Sequence, residues 1–211
     1  MPSSRPNPSG KPRSIRPLIV LALACLAPLI FALLAYYVPA LGLRPTENTN
    51  YGAILQPQRP VPAASQLKLT TLDGEPFDLQ SLRGQWLLVS ADQAACPEAC
   101  ARKLFILRNS HASQGKNVER IKRVWFITDD AVVPENVLEA YRGNLFLRAD
   151  PAQLAEFLAP GTPADKQDAA LQAPMWIIDP LGNLMLEFPP DADPIKVRKD
   201  LSKLLFSSRI G

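Results

Sequence analysis

Two cysteines near the middle of the chain are the side chains best suited to chemistry. Cys96 and Cys100 lie in the segment CPEAC, between an apolar run at residues 86–91 and a helical pattern over residues 97–112. Residues four apart at the start of a helix share one face, so their thiols can close a disulfide or hold a thiophilic metal ion. We expect both sulfurs to be accessible to a visiting protein.

Three roles for this cysteine pair remain open. In a redox role, the positive end of the helix favours the thiolate of Cys96, which would attack while Cys100 resolves. Pro97 supports the helix start, because proline is favourable at the first helical position. The alternatives are a structural disulfide, although so short a loop stabilises little by chain entropy, and metal binding without redox chemistry.

The only histidine in the chain is His111. It follows Cys100 by eleven residues in the same predicted helix, about 16 Å along the axis, so it cannot complete a metal site with the cysteines. We interpret it as an exposed helical residue. Two thiolates alone select Cu(I), which makes transiently bound copper the one cofactor left open. The sequence contains no phosphate-binding loop, nucleophile elbow or zinc-ligand spacing.

Apolar patterning and turn signals predict the elements that position the cysteines. An Asp73–Gly74 turn between alternating residues indicates a β-hairpin. The later elements are predicted as strands at 86–91, 124–128, 145–147, 175–178 and 184–188, helices at 97–112, 134–141, 151–158 and 195–206, and a polar loop at 161–173. This order predicts an α/β sandwich with helices on both faces of a mixed sheet. The dithiol follows the first central strand, where such folds place their sites.

The N-terminal region predicts a membrane anchor. Residues 18–38 carry no charge and are long enough to cross a bilayer as a helix. Basic residues before this segment, namely Arg5, Lys11, Arg13 and Arg16, predict a cytoplasmic N-terminus and a periplasmic C-terminal domain in a bacterial inner membrane. We predict a disordered basic tail at 1–17, a transmembrane helix at 18–38, a Pro-rich linker at 39–64 and a compact domain at 65–207.

A cleaved signal peptide is the alternative to an anchor. Its apolar region is normally shorter and ends at a small-x-small site, so a retained helix is favoured. An exported domain meets an oxidising compartment, where a disulfide persists. Without the basic tail, acidic and basic residues nearly balance, which argues against a nucleic-acid partner.

Four segments together resemble the SCO/SenC branch of the thioredoxin-like superfamily. They are residues 72–84, the CPEAC motif, residues 126–130 and residues 177–183. The resemblance implies a thioredoxin-like sandwich with an N-terminal β-hairpin extension, preceded by a single transmembrane helix. It also implies a role in assembling the copper centre of cytochrome c oxidase, with an oxidase subunit or another assembly factor as the partner.

The chain departs from that family at informative positions. Counting back from Asp179 to the place of the family's copper-binding histidine reaches Leu171, and no histidine is nearby. The proline usual after the second cysteine is replaced by Ala101, and Pro174 lies one residue from the place of the family's cis-proline, so an ordinary loop proline is the alternative.

Two functions follow from the resemblance. The first is thiol–disulfide exchange on a partner by Cys96 and Cys100. The second is a non-enzymatic assembly factor or Cu(I) carrier whose dithiol is not redox-active. A general periplasmic oxidoreductase unconnected with respiration is a third possibility.

Overall fold

The structure is a computed structural model that describes residues 15–38, 50–208 and 210. The chain divides into two compact units, Met1–Asn48 and Thr49–Gly211. Most of the predicted basic tail, and the predicted linker as far as residue 49, lie outside the described residues.

The described part of the first unit is one helix, α1, at Arg16–Tyr37. Among the described residues, α1 alone is long and apolar enough to cross a membrane, as judged by its length and composition. Its 22 residues correspond to about 33 Å, which matches the roughly 30 Å of hydrocarbon in a bilayer. The predicted apolar helix at 18–38 therefore forms with almost the expected bounds.

The second unit is built on one sheet of eight strands in the described residues, ordered β1-β8-β7-β4-β5-β6-β2-β3. The strands are β1 Ala53–Pro60, β2 Leu69–Thr71, β3 Pro76–Phe77, β4 Trp86–Asp92, β5 Ile121–Ile127, β6 Leu145–Ala149, β7 Met175–Ile178 and β8 Asn183–Phe188. The helices are α2 Glu98–Ala112, α3 Glu135–Ala140, α4 Pro151–Leu158, α5 Gln167–Gln172 and α6 Pro194–Ser207.

The centre of the sheet is β4, which is buried along its whole length. It runs parallel to β5 and antiparallel to β7, so it has strand partners on both sides. Its side chains alternate between two apolar clusters, because successive residues of a strand point to opposite faces. Leu88 belongs to the cluster on one face, and Leu87 and Val89 belong to the cluster on the other.

Helices cover both faces of this sheet, as the sequence predicts. Helices α2, α3 and α6 contribute to the cluster that contains Leu88, and α4 and α5 contribute to the other. Local capping explains two of the helix starts. Asp150 accepts a hydrogen bond from the amide of Gln153, and Asp193 accepts hydrogen bonds from the amides of Ile195 and Lys196.

Two segments differ from the prediction. Residues 53–60, assigned to the linker, form β1 and pair antiparallel with β8. A strand with prolines at 57 and 60 is tolerated because β1 lies at the sheet edge. The predicted polar loop at 161–173 contains the 3₁₀ turn Ala164–Lys166 and helix α5, whose Leu171 is fully buried.

Candidate functional site: a disulfide at the start of helix α2

The structure joins Cys96 and Cys100 in a disulfide, with Cα atoms 5.0 Å apart. A short turn connects the end of β4 at Asp92 to the start of α2 at Glu98 and carries Cys96. This is the strand-to-helix junction at which the sequence places the pair. The pairing therefore arises from one local junction and requires no distant segment.

The backbone of this turn is unusual at Cys96, which has a positive φ of 42°. Few residues other than glycine occupy this left-handed region, because Cβ crowds the following carbonyl. Pro97 follows in an extended conformation as the N-cap of α2, with Glu98 as the first helical residue. The prediction that Pro97 occupies the first helical position is therefore off by one residue.

The two cysteines differ in exposure. Cys100 is completely buried, whereas Cys96 keeps 8% of its surface exposed. Both belong to the apolar cluster between the sheet and helices α2 and α6. The expectation that both sulfurs are accessible is wrong: Cys100 is fully enclosed because the face of α2 that carries it packs inward, and Cys96 is nearly so. A visiting protein could approach the pair only through Cys96.

A buried ion pair lies on the two elements that flank the disulfide. Lys103 of α2 places its Nζ atom 2.8 Å from Oδ2 of Asp92, the last residue of β4. Burial raises the pKa of Asp92 to about 6, and the attraction of Lys103 only partly offsets this effect. Burial also lowers the pKa of Lys103, against the attraction of Asp92.

The Lys103 ammonium also connects three secondary-structure elements. It donates hydrogen bonds to the carbonyl oxygen of Ala91 at 3.1 Å and to that of Gln172 at the end of α5. Together with its ion pair to Asp92, these bonds tie α2 to β4 and to the segment that leads into β7. Sequence reasoning missed this residue. The sequence contained one indication of its role, since Lys103 lies three residues after Cys100 and therefore on the same face of the helix.

Pro174 does not adopt the conformation that the family resemblance suggests. The Ala173–Pro174 peptide bond is trans, and the cis bond among the described residues is Gln56–Pro57. Pro174 is buried, while its neighbours Ala173 and Met175 line a cleft of about 200 Å³ beside α2. The structure therefore places Pro174 in a loop next to this cleft.

The residue at the place of the family's histidine lies away from the disulfide. Leu171 is fully buried and packs in the cluster on the face of the sheet opposite that of the cysteines. Helix α2 runs unbroken through His111, as the distance argument requires. His111 is half-buried rather than exposed, and its Nε2 atom lies 3.1 Å from the carbonyl oxygen of Val118. Burial lowers its pKa, and the nearby charge of Arg123 lowers it further.

The donor set for a metal ion is limited. Within residues 15–38, 50–208 and 210, no group of three or more His, Cys, Asp or Glu side chains could hold a metal ion. Any thiophilic metal would have to bind Cys96 and Cys100 after reduction of their disulfide, since their sulfurs are joined to each other here.

Solved structures with this fold include three Sco proteins. The apo Sco1 protein from Thermus thermophilus is 19% identical, with a TM-score of 0.54, covering 77% of this chain and 98% of that one. Arabidopsis thaliana ScoI with copper bound is 15% identical, with a TM-score of 0.52 and coverages of 75% and 99%. BsSco, described as a member of the Sco family of cytochrome c oxidase assembly proteins, is 16% identical, with a TM-score of 0.51 and coverages of 72% and 98%.

These similarities establish the fold. They confirm the predicted α/β thioredoxin-like sandwich, with a β-hairpin at its N-terminal side and an apolar helix before it. No curated protein matches the sequence. Residues 86–208, more than half of the chain, match the family described as "Transmembrane-like, thioredoxin-like, C-terminal domain". The chain therefore belongs to this family of transmembrane-like, thioredoxin-like proteins.

Proposed function

We propose that this chain is a membrane-anchored thioredoxin-like protein that exchanges thiols and disulfides with a partner during assembly of the copper centre of cytochrome c oxidase. The observation that carries the proposal is the disulfide between Cys96 and Cys100 at the start of α2, with Cys96 as its less buried member. A thiolate at a helix N-terminus is stabilised by the helix dipole, and exposure decides which sulfur meets a partner.

The exchange begins from the dithiol form. The thiolate of Cys96 attacks a disulfide of the partner, forms a mixed disulfide and releases one partner thiolate, which takes up a proton. The thiolate of Cys100 then attacks the Cys96 sulfur. This step re-forms the bond between Cys96 and Cys100 and releases the second partner thiol. Two electrons pass to the partner, and a dithiol reductant outside the chain must restore the starting form.

Helix α1 and the basic residues that precede it support the proposed location. Basic residues before an apolar helix favour retention of the N-terminus in the cytoplasm. We therefore propose a single-pass protein of the bacterial inner membrane with residues 50–208 in the periplasm, where disulfides persist.

The assignment to respiratory assembly rests on resemblance. One neighbour that shares the fold is described as a member of the Sco family of cytochrome c oxidase assembly proteins, and another was solved with copper bound. The partner proposed on this basis is an oxidase subunit with copper-binding cysteines, or a second assembly factor.

A redox titration of the full chain in detergent tests the exchange chemistry. A Cys25→Ser background removes the one free cysteine, so every thiol that appears comes from the Cys96–Cys100 pair. We expect glutathione and dithiothreitol to cycle two thiols reversibly, as counted by mass after alkylation. A pair that cannot be reduced while the domain stays folded excludes the redox role.

Trapping identifies the partner and assigns the two roles. Cys100→Ser should accumulate a mixed disulfide between Cys96 and the partner in cells, because no resolving thiol remains. Cys96→Ser is the matched control, and it should trap little because Cys100 is buried. The same amount of adduct in both variants would contradict the assigned order of attack.

The burial of the pair supports the second candidate, a non-enzymatic assembly factor or Cu(I) carrier. Complete burial of Cys100 and near-complete burial of Cys96 would slow exchange but leave a structural role intact. Normal oxidase maturation in a Cys96→Ser/Cys100→Ser strain favours an assembly factor. Retention of one Cu(I) per reduced protein against a competing chelator, lost in that double variant, favours a carrier.

A further inference from the structure

One face of helix α6 carries lysines at a regular spacing. Lys196, Lys199, Lys203 and Phe206 lie three or four residues apart, so they form a single stripe along the helix. All four side chains are exposed, and Phe206 keeps 93% of its surface in contact with solvent. The opposite face packs into the core through Val197, Leu201 and Leu205. We refer to Lys196, Lys199, Lys203 and Phe206 as the lysine stripe.

The chain enters the domain beside this stripe. The backbone amides of Tyr51 and Gly52 donate hydrogen bonds to Oδ2 of Asp200, at 2.7 and 2.9 Å. The amide of Asp193 donates to the hydroxyl of Tyr51 at 3.0 Å, and the ammonium of Lys196 lies 5.0 Å from the centre of the Tyr51 ring. Both ends of the segment 193–200 are thus bonded to the entering chain.

The entering chain comes directly from α1. Helix α1 ends at Tyr37, and residues 38–50 can span at most about 45 Å even when fully extended. The covalent connection therefore holds Tyr51, which contacts Lys196, within that reach of the end of α1.

We propose that the lysine stripe docks on the headgroups of anionic phospholipids in the membrane that holds α1. This inference rests on the membrane anchoring in the proposed function. Long lysine stems ending in charged groups, next to an exposed aromatic ring on the same helix face, suit a surface with anionic headgroups above hydrocarbon. An acidic protein surface would pair with the lysines equally well. It would not explain why the entering chain lies beside them.

Amine labelling of the full chain in lipid nanodiscs tests the docking. We expect acetylation of Lys196, Lys199 and Lys203, followed by mass spectrometry, to be several-fold slower in phosphatidylglycerol discs than in phosphatidylcholine discs. Lys68 and Lys166 provide internal controls. Both are exposed, and they lie next to α4 and α5, the helices on the opposite face of the sheet. Salt at about 1 M, where the Debye length is near 3 Å, should abolish the protection.

A charge reversal supplies the matched variant. Lys199→Glu should restore labelling of Lys196 and Lys203 in phosphatidylglycerol discs, whereas Lys166→Glu should leave their protection unchanged. Equal labelling in both lipids, or protection that is as strong in phosphatidylcholine or detergent, overturns the proposal. A chain that does not enter discs overturns the anchor as well. A chain that enters them without selective protection overturns only the docking.

Discussion

Nζ of Lys103 lies 2.8 Å from Oδ2 of Asp92, in a pair whose side chains keep only 9% and 4% of their surfaces exposed. In such a pair, each charge offsets the cost of burying the other. Removal of one member therefore leaves an uncompensated charge in the interior. The turn that carries Cys96 begins immediately after Asp92, and Lys103 follows Cys100 by three residues. The ion pair therefore brackets the two cysteines along the chain.

Lys103→Met should lower the free energy of unfolding by about 3–5 kcal/mol, because it leaves Asp92 without its cation. It also removes the donor to the carbonyl oxygens of Ala91 and Gln172. Urea unfolding of the detergent-solubilised chain measures this loss. The control Lys116→Met, at an exposed position, should change stability by no more than about 0.5 kcal/mol. If Lys103→Met matches this control, the ion pair contributes nothing to folding.

Asp92 should make stability depend on mildly acidic pH. Its pKa rises from 3.8 to about 6 on folding, so the unfolded chain loses this proton first as the pH increases. The stabilising contribution of protonated Asp92 is therefore complete below pH 3.8 and is lost as the pH rises through about 6. Unfolding midpoints across this range should fall less steeply in Asp92→Asn than in the parent chain. Parallel profiles for the two proteins would show that folding does not raise the pKa of Asp92.

The two cysteines should react at different rates after reduction. Because Cys96 is 8% exposed and Cys100 is fully buried, an alkylating reagent should modify Cys96 first in a Cys25→Ser background. Mass spectrometry of quenched samples follows both sites, and denatured protein shows their intrinsic reactivities. Faster modification of Cys100 in the folded chain would reverse the proposed assignment of attacking and resolving sulfur.

Gly52→Ala should weaken the attachment of the entering chain. An added Cβ would lie 2.3 Å from Cδ2 and 2.9 Å from Cγ of Leu186, which is fully buried in the core. Overpacking of this kind costs about 1–3 kcal/mol in unfolding free energy. The same substitution in a Leu186→Val background should cost less, because valine lacks the Cδ2 atom that makes the shortest contact. Equal costs in the two backgrounds would exclude the clash as the cause.

Local signals in the sequence predicted several elements well. Asp150 followed by Pro151 specifies the start of α4, and the structure has that helix at Pro151–Leu158 as predicted. The Asp73–Gly74 turn likewise joins β2 and β3 into the expected hairpin. In both cases the residues that determine the structure are neighbours in the chain, so propensity and capping are sufficient.

Non-local interactions explain what the sequence did not reveal. The prolines of residues 53–60 are typical of a linker, and only pairing with β8, more than a hundred residues away, makes this segment a strand. Leu171 lies in a polar stretch, and its burial depends on packing against the far face of the sheet. Lys103 has the sequence character of a surface residue, because lysine is almost never buried without a partner. Its role depends on Asp92 and on two distant carbonyl groups.

The edges of the sheet also determine how copies of this chain can behave side by side. The edge strand β1 contains Pro57 and Pro60, and the other edge, β3, is the two-residue strand Pro76–Phe77. Proline has no amide hydrogen, and short or proline-bearing edges prevent strand-by-strand addition of a second molecule. Copies of this domain that meet side by side are therefore poorly suited to join edge to edge into an extended β-structure.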